Sequence, residues 1–427
     1  MSPRTPLSAA SERTNSSAIS ALMQLALANP ELISLAAGFV DQATLPIEAT
    51  ARAVAGLAAN PSEGRRALQY GTTIGDRALR GRLLGLIEAN EGVPEGSYAN
   101  LLHRTVVTTG SQQLLYLVAE ALIDPGDIVL VESPTYFVFL GVLESRGARV
   151  VGVETDDQGL KPEALDATLA ALDADGHLAR VKLIYTVSEH SNPSGISLAE
   201  SRRATLVALA RRWSTTQRIF VLEDSAYRGL TYDGTEPPSV WSHDPEGDTV
   251  ILARTFSKTF SPGLKTGYAV LPDSLIEPVL RLKENHDFGS SNFSQVLLDR
   301  LLADGGYQRQ VSLLVATYRA KRDAMLDALD DHLGGIDGVH WTRPTGGLYV
   351  WLTLPEGLDA GLAGPFFQRC LTEGVLYVPG AYSFTEEPGP APRNHARLCF
   401  GVPDQVDLVT GVRRLAKALV GCLDPVA

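Results

Sequence analysis

Short apolar runs alternate with longer segments of helical periodicity between about residues 104 and 255. The runs are rich in β-branched residues and nearly wholly apolar, as expected for strands that are covered by helices on both faces. They span residues 106–108, 128–131, 150–153, 182–185, 219–222 and 250–252. The helical segments between them include residues 113–122, 162–171 and 198–213. This alternation predicts an α/β domain with a largely parallel sheet.

A different order of elements begins near residue 295. Helical patterns come first, then strands, then a last helix, which favours a smaller α+β domain. The segments are helices at 295–302 and 308–333, strands at 339–341, 347–352 and 396–400, and a helix at 405–420. Residues 1–30 predict an arm and one short helix at 18–28. We therefore divide the chain into an N-terminal arm with part of the small domain (1–50), a large α/β domain (51–300) and a small C-terminal α+β domain (301–427).

Composition excludes several classes of protein. The 427 residues carry a formal net charge of -12 with no Lys/Arg-rich block, which argues against a nucleic-acid partner. No apolar run approaches the ~20 residues of a membrane span, and the N-terminus lacks a secretory signal pattern. The three cysteines, Cys370, Cys399 and Cys422, have no metal-ligand spacing. We expect no metal site and a reducing, cytoplasmic location.

Lysine is scarce, since only seven of the 37 basic residues are lysine. Two of them share one segment, residues 254–268, where Lys258 follows a predicted strand between hydroxyl residues and Lys265 comes seven residues later. Hydroxyls and a cation at a strand end suit a phosphate, and a lysine held there can form a Schiff base with an aldehyde. The alternative is a polar loop after a strand.

Three other segments also follow predicted strands. Asp224 ends an apolar run, at the edge where open α/β sheets bind ligands, and its carboxylate can pair with a protonated ring nitrogen. In residues 108–113, Gly110 permits a tight turn that would present the amides of Ser111 and Gln112 to an anion. Residues 191–195 contain Asn192, Pro193 and Gly195. Asp224 could instead be a helix N-cap, residues 108–113 an ordinary capped turn, and residues 191–195 a simple turn.

In this order, the four segments resemble the fold-type I pyridoxal-phosphate (PLP) enzymes of the class I/II aminotransferase family. The resemblance spans about residues 33–419 and is strongest to the branch with kynurenine/α-aminoadipate aminotransferases and the effector domains of related regulators. It implies an α/β fold with a mostly parallel sheet flanked by helices, plus a smaller α+β domain. It also implies bound PLP and a homodimer with shared active sites.

The resemblance also implies a role for each matching residue. Lys258 would form the Schiff base, with Asp224 at the ring nitrogen and Tyr227 near the ring's phenolic oxygen. The other cofactor contacts would be Ser111, Gln112, Thr255, Ser257 and Lys265 at the phosphate, Tyr136 stacked on the ring, Asn192 near the phenolic oxygen and Tyr70 reaching the neighbouring subunit's phosphate. Substrate contacts would be Arg397 on the α-carboxylate, Asn192, His190, and Gly38 lining the pocket. For Tyr136 and Tyr70 the alternative is a packing role, and for Arg397 it is a surface position.

The chain departs from the family pattern in three places. Ser188 stands where a proline is usual and Ser191 where a glutamine is usual, with Glu189 and His190 between them. Lys265 replaces an arginine, so a point charge replaces a planar guanidinium. Thr255 replaces a serine and keeps the hydroxyl. His190 is interpreted either as a substrate or acid/base contact or as a loop histidine facing solvent.

We expect an aminotransferase that moves the amino group of an α-amino acid to a 2-oxo acid through an aldimine on Lys258. The alternative is a PLP-dependent lyase, decarboxylating or oxidative deaminase, or cyclase, acting on a non-standard amino acid in specialised biosynthesis. The altered 188–191 loop motivates this alternative. A regulator is less favoured, because only about 30 residues precede the matching region and the charge is acidic.

Overall fold

The structure is a computed structural model that describes residues 5–14 and 18–423, without the side chains of residues 18 and 19. Its strands are β1 Ile33–Ser34, β2 Thr105–Thr108, β3 Ile128–Ser133, β4 Arg149–Asp156, β5 Gly159–Leu160, β6 Val181–Thr186, β7 Phe220–Asp224, β8 Val250–Thr255, β9 Gly267–Val270, β10 His340–Trp341, β11 Tyr349–Thr353, β12 Val375–Leu376, β13 Val378–Pro379 and β14 His395–Cys399. Its α-helices are α1 Ala9–Arg13, α2 Ala18–Ala28, α3 Ile47–Ala59, α4 Pro61–Leu68, α5 Arg77–Glu91, α6 Gly110–Leu122, α7 Phe137–Arg146, α8 Pro162–Ala174, α9 Glu200–Trp213, α10 Asp273–Asp287, α11 Asn292–Ala303, α12 Gly306–Leu333, α13 Pro365–Thr372 and α14 Gln405–Leu423. Short 3₁₀ helices lie at Ala99–Arg104, Leu178–Arg180, Trp241–His243, Pro262–Leu264 and Gly380–Ser383.

The large sheet has the strand order β2-β9-β8-β7-β6-β3-β4-β5. Neighbours from β8 to β4 run parallel, whereas β9 runs antiparallel to both β2 and β8. The six predicted strands are confirmed, and so is the mostly parallel sheet. The sequence interpretation missed β9, because this short strand directly follows the polar segment that carries Lys258 and Lys265.

The parallel strands β3 and β7 are buried along their length, with only Ser133 at the end of β3 partly exposed, as their apolar sequences require. Since they are parallel and in register, their carboxyl ends meet at one edge of the sheet. Residue Thr186 of β6 pairs with Glu223 of β7, and Asp224 pairs with Ala253 of β8. This register brings the polar residues that follow β2, β6, β7 and β8 to the same edge.

A four-stranded antiparallel sheet, β10-β11-β14-β13, forms a second layer of structure with α12, α13 and α14. Strand β1 near the N-terminus pairs in parallel with β12, joining Ile33 to Val375. The N-terminal segment therefore packs with the C-terminal region. Our division at residues 50 and 300 stays a prediction. Within the described ranges, every helix is too short or too polar to cross a membrane.

Candidate active site

Lys258 lies in the turn after β8, and its side chain reaches the N-terminal segment that contains Gly38. Its Nζ donates a hydrogen bond to the carbonyl oxygen of Gly38 at 2.6 Å, a contact between residues 220 positions apart. The pKa of Lys258 is lowered to about 8, mainly by burial and to a smaller extent by the positive charges of Arg397 and Lys265. A lysine with such a pKa exists partly as the free amine near neutral pH, which is the form that reacts with aldehydes and accepts protons.

Asp224 ends β7, the strand next to β8, and is buried. Its Oδ2 accepts a hydrogen bond from the hydroxyl of Tyr185 at 2.8 Å. Its Oδ1 is also buried but has no hydrogen-bond partner among the described residues. Burial raises the pKa of Asp224 to about 6, helped by the charges of Glu189 and Glu223. A buried carboxylate oxygen without a partner needs a donor from outside the chain.

The turn between β2 and α6 contains the predicted phosphate contacts Ser111 and Gln112. Gly110 begins α6 with a φ of +71°, so the chain reverses tightly there. The turn packs against the start of β9, where a Cβ on Gly267 would lie 2.7 Å from the amide nitrogen of Ser111. The first amides of a helix have no intrahelical acceptor, and here they face the carboxyl edge of the sheet. This geometry is suited to an anion.

Two hydroxyls and a lysine continue the same site after β8. The Thr255 hydroxyl donates to the Ser257 hydroxyl at 3.0 Å and accepts from the Ser257 amide at 3.2 Å. Lys265 has a φ of +50° and is exposed, and its ammonium finds no acceptor among the described residues. The residue that replaces the family's arginine is therefore free to turn towards an added phosphate.

Arg397 of β14 is 2% exposed and faces the end of the Asn192 loop. Its guanidinium donates to Asn192 Oδ1 at 2.9 Å and to the carbonyl oxygen of Ala36 at 2.7 Å. Its Nε has no acceptor, and no carboxylate pairs with it in the described part of the chain. A buried cation without a counter-ion is costly unless an anion binds there. The alternative of a surface arginine is wrong.

Aromatic side chains enclose this guanidinium. The centre of the Tyr349 ring lies 4.6 Å from Arg397 Cζ, and that of Phe137 lies 5.5 Å away. The Tyr227 hydroxyl donates to the Tyr349 hydroxyl at 3.2 Å. Burial raises the pKa of Tyr136 far above its ordinary value, with further contributions from Asp224 and Tyr349, which places this ring in the same pocket. The site is therefore a buried, aromatic-walled cleft with one lysine, one carboxylate and one guanidinium.

Comparison with known proteins identifies this arrangement. The family described as aminotransferase class I and II matches residues 30–415. The chain belongs to this family. It is 32% identical over 389 residues to aromatic-amino-acid aminotransferase 1 of Thermococcus litoralis, covering 91% of this chain and 88% of the relative.

Solved structures of similar aminotransferases agree over nearly the whole chain. Kynurenine aminotransferase of Pyrococcus horikoshii, in complex with PMP, matches with a TM-score of 0.88 and 31% identity, covering 98% of both chains. The α-aminoadipate aminotransferase of Thermus thermophilus, complexed with N-(5'-phosphopyridoxyl)-L-leucine, matches at 0.83 and 30%, again covering 98% of both. The protein is a PLP-dependent aminotransferase with the fold-type I architecture.

The residues present fit PLP. The unpartnered Asp224 Oδ1 suits a protonated pyridine nitrogen, and the uncapped start of α6 suits a phosphate. Lys258, which follows the neighbouring strand β8, supplies an amine with a lowered pKa. The individual roles of these residues remain predictions.

Tyr70 lies apart from the cleft in this single chain. It is 82% exposed, and its ring meets the edge of Phe288, which is itself exposed, with 5.9 Å between ring centres. The expectation that Tyr70 completes a neighbouring subunit's site is compatible with this exposure but stays a prediction.

The unusual 188–191 loop turns its ionisable groups away from the cleft. His190 is 2% exposed, so the alternative of a histidine facing solvent is wrong. Its ring nitrogens meet the hydroxyls of Thr231 at 2.8 Å and Ser197 at 3.2 Å, and the ring packs on residues 346–347. These contacts occupy both nitrogens, so the structure offers His190 no free group for a substrate. Burial lowers its pKa to about 4, which keeps it neutral.

Glu189, the other charged residue of this loop, is also fully engaged. Its carboxylate accepts hydrogen bonds from Arg203 at 2.9 Å and Arg228 at 3.1 Å, and from the hydroxyls of Ser188 and Ser225. The serine that replaces the usual proline therefore has a structural partner. Because protein partners engage both ionisable groups of the loop, the loop no longer favours a chemistry other than transamination.

Sequence reasoning missed four residues that shape the cleft. Tyr185 holds Asp224, Tyr349 and Phe137 cover Arg397, and Glu132 accepts from the Thr186 hydroxyl at 2.5 Å behind the sheet edge. Burial raises the pKa of Glu132 to about 7. Tyr185 ends a predicted strand and Glu132 directly follows one, and this position is a local signal. Tyr349 and Phe137 carry no local signal, because only the tertiary fold brings them to Arg397.

Proposed function

We propose that this aminotransferase acts on α-amino acids with large, uncharged side chains, aromatic ones above all, and passes the amino group to a 2-oxo acid. The observation that carries the proposal is the buried Arg397 guanidinium, which lacks a counter-ion and is enclosed by aromatic rings. The similarity to an aromatic-amino-acid aminotransferase and a kynurenine aminotransferase supports the same substrate class.

Arg397 would bind the α-carboxylate of the substrate. Two of its nitrogens are already fixed by Asn192 and the Ala36 carbonyl, so the guanidinium is held in position before the substrate arrives. A planar guanidinium bonds a carboxylate in a defined orientation. The Tyr349 and Phe137 rings exclude water from this contact and leave apolar surface for the substrate side chain.

Lys258 would move the proton. Bound PLP supplies an aldehyde that bonds amines and a pyridinium that withdraws electrons from the substrate Cα. The Nζ of Lys258 would be the base that removes and returns the proton at the substrate Cα. Its pKa of about 8 suits proton transfer in both directions near neutral pH. Asp224 would keep the ring nitrogen protonated through its free Oδ1.

The test is a panel of amino donors with purified, PLP-loaded enzyme and 2-oxoglutarate or pyruvate as acceptors. We expect phenylalanine, tyrosine and kynurenine to give higher kcat/KM values than aspartate, which brings a second carboxylate into the aromatic cleft. A preference for aspartate would contradict the substrate class. Release of ammonia or CO₂ without any amino-group exchange would contradict the transamination of all these substrates.

We also propose a homodimer in which Tyr70 of each subunit reaches the other's site, in the cytoplasm. Exposed large apolar side chains support an interface in this part of the surface; they include Phe39, Ile47, Leu68, Tyr70 and Phe288. Light scattering after size-exclusion chromatography should give twice the 45.7 kDa chain mass. Tyr70→Phe should weaken PLP binding without changing that mass. A stable monomer with full activity would contradict the proposal.

A further inference from the structure

An ion pair between a buried lysine and a partly exposed aspartate lies against the turn that precedes α6. The side chain of Lys283 is 0% exposed, and its Nζ donates to the two carboxylate oxygens of Asp287 at 2.8 and 2.9 Å. The same Nζ donates to the Ser290 hydroxyl at 2.9 Å. Neither member of the pair takes part in the chemistry described above, although Lys283 is one of only seven lysines in the chain.

The Asp287 carboxylate holds two side chains of the turn. Gln113 donates from its Nε2 to Asp287 Oδ2 at 2.8 Å. The Thr109 hydroxyl lies 3.3 Å from the same oxygen and 3.1 Å from the Ser290 hydroxyl. The Oε1 of Gln113 in turn accepts a hydrogen bond from the backbone amide of Thr109 at 2.8 Å. Thr109 and Gln113 are thereby tied to the end of α10.

Helix α6 starts without a side-chain cap, although its N-cap residue is one that could supply it. Thr109 is the N-cap of α6, where a threonine hydroxyl normally accepts a hydrogen bond from one of the first helical amides. It makes no such bond, whereas Asp76 caps α5 and Ser291 caps α11 in this way. The hydroxyl of Thr109 is held away by Asp287 and Ser290. The first amides of α6 are consequently left without a side-chain acceptor.

We propose that Asp287, fixed by Lys283, is a positioning residue for PLP: it draws the Thr109 hydroxyl away from the α6 amides and so keeps them open to the cofactor phosphate. The proposal rests on the predicted phosphate contacts at Ser111 and Gln112. Asp287 itself does not touch the phosphate; it acts through Thr109 and Gln113.

The test compares the affinities of the cofactor-free protein for PLP and for pyridoxal, which lacks the phosphate, by absorbance titration. Asp287→Ala removes the acceptor that holds the Thr109 hydroxyl and the Gln113 side chain, so that Thr109 can cap α6 and compete with the phosphate. We expect PLP to bind about five- to tenfold more weakly, the size of one N-cap interaction, while the affinity for pyridoxal stays the same. Thr109→Val alone should change PLP binding less than about twofold, and Thr109→Val in the Asp287→Ala protein should restore it.

A second variant avoids leaving Lys283 buried without its partner. Lys283→Met with Asp287→Leu replaces the ion pair by apolar side chains, a change that folded proteins often tolerate. It should show the same selective loss for PLP and the same recovery with Thr109→Val. Thermal unfolding of each cofactor-free protein confirms that the compared chains are folded.

Three outcomes would overturn the proposal. Equal losses for PLP and pyridoxal would make the ion pair a general structural element. A loss that Thr109→Val does not reverse would exclude the cap as its cause. A wild-type protein that binds pyridoxal as tightly as PLP would instead refute the phosphate contacts on which the proposal rests.

Discussion

Replacing Asp224 by asparagine should stabilise the cofactor-free protein while it disables the enzyme. The fold holds this carboxylate in a buried position where one oxygen accepts from Tyr185 and the other has no partner. Burial raises its pKa from an ordinary 3.8 to about 6, so the charged form is disfavoured in the folded chain relative to the unfolded one. Asparagine keeps an oxygen for Tyr185 and carries no charge.

The magnitude follows from linkage between proton binding and folding. Each tenfold change in acidity is worth ~1.4 kcal/mol, so the raised pKa costs ~3 kcal/mol of stability at pH 7.5, where Asp224 is charged in both states. Below pH 3.8, the pKa of Asp224 in the unfolded chain, the carboxyl is neutral in both states and does not lower the stability. The stability is lost as the pH rises through about 6, the pKa of Asp224 in the folded chain. At pH 4.5 the folded carboxyl is neutral, and the difference between the two proteins should fall to ~1 kcal/mol.

The assay is urea unfolding of the cofactor-free wild type and Asp224→Asn at one protein concentration, at pH 7.5 and 4.5. The same substitution in the PLP-loaded enzyme should lower kcat by about a hundredfold or more, because a buried charge pair with the ring nitrogen is lost. A variant that is no more stable than the wild type at pH 7.5, or a gain that is equal at both pH values, would refute the reasoning.

Three further changes test other parts of the cleft. Arg397→Lys should raise KM for the amino donor about ten- to a hundredfold with PLP absorbance unchanged, since the planar contact to the carboxylate is lost; an unchanged KM in steady-state kinetics would place the substrate carboxylate elsewhere. Glu132→Gln should stabilise the protein by ~3 kcal/mol at pH 8.5 but much less at pH 5, because burial raises the Glu132 pKa to about 7; denaturant unfolding at both pH values measures this, and a loss at pH 8.5 would contradict it. Gly38→Ala should lower the melting temperature, as its Cβ would lie 2.7 Å from the Tyr349 hydroxyl oxygen, and Tyr349→Phe should recover part of the loss; a melting temperature equal to that of the wild type would show that the cleft has room.

Much of the sheet and the chemistry at its edge could be predicted from the sequence. Buried parallel strands need nearly continuous apolar residues, and that pattern is local, so β2, β3, β4, β6, β7 and β8 were all recognisable. The ends of parallel strands meet at one edge whatever the details of packing. Asp224 lies two residues beyond an apolar run and Lys258 six residues beyond the next, so the pattern predicts both at the same edge.

The departures from the family pattern could not be interpreted in this way. Glu189 and His190 looked like additions to the active site, since the loop that carries them leads to Asn192. Their partners Arg203, Arg228 and Thr231 lie on other elements, and a buried charge goes where its partners are. The orientation of these side chains was thus decided by residues that share no local motif with them.

The sequence by itself determined six strands of the large sheet and several of the helices between them, the family, the cofactor and the residues at the strand ends, because each depends on short-range periodicity or on a motif of a few residues. Only the tertiary structure decided which groups meet across the cleft: Lys258 with the Gly38 carbonyl, 220 residues away, and Arg397 with Asn192, 205 residues away. It also decided that Thr109 leaves its own helix uncapped. Such contacts depend on how whole elements pack, and no local pattern of residues records which distant partner a polar side chain will find.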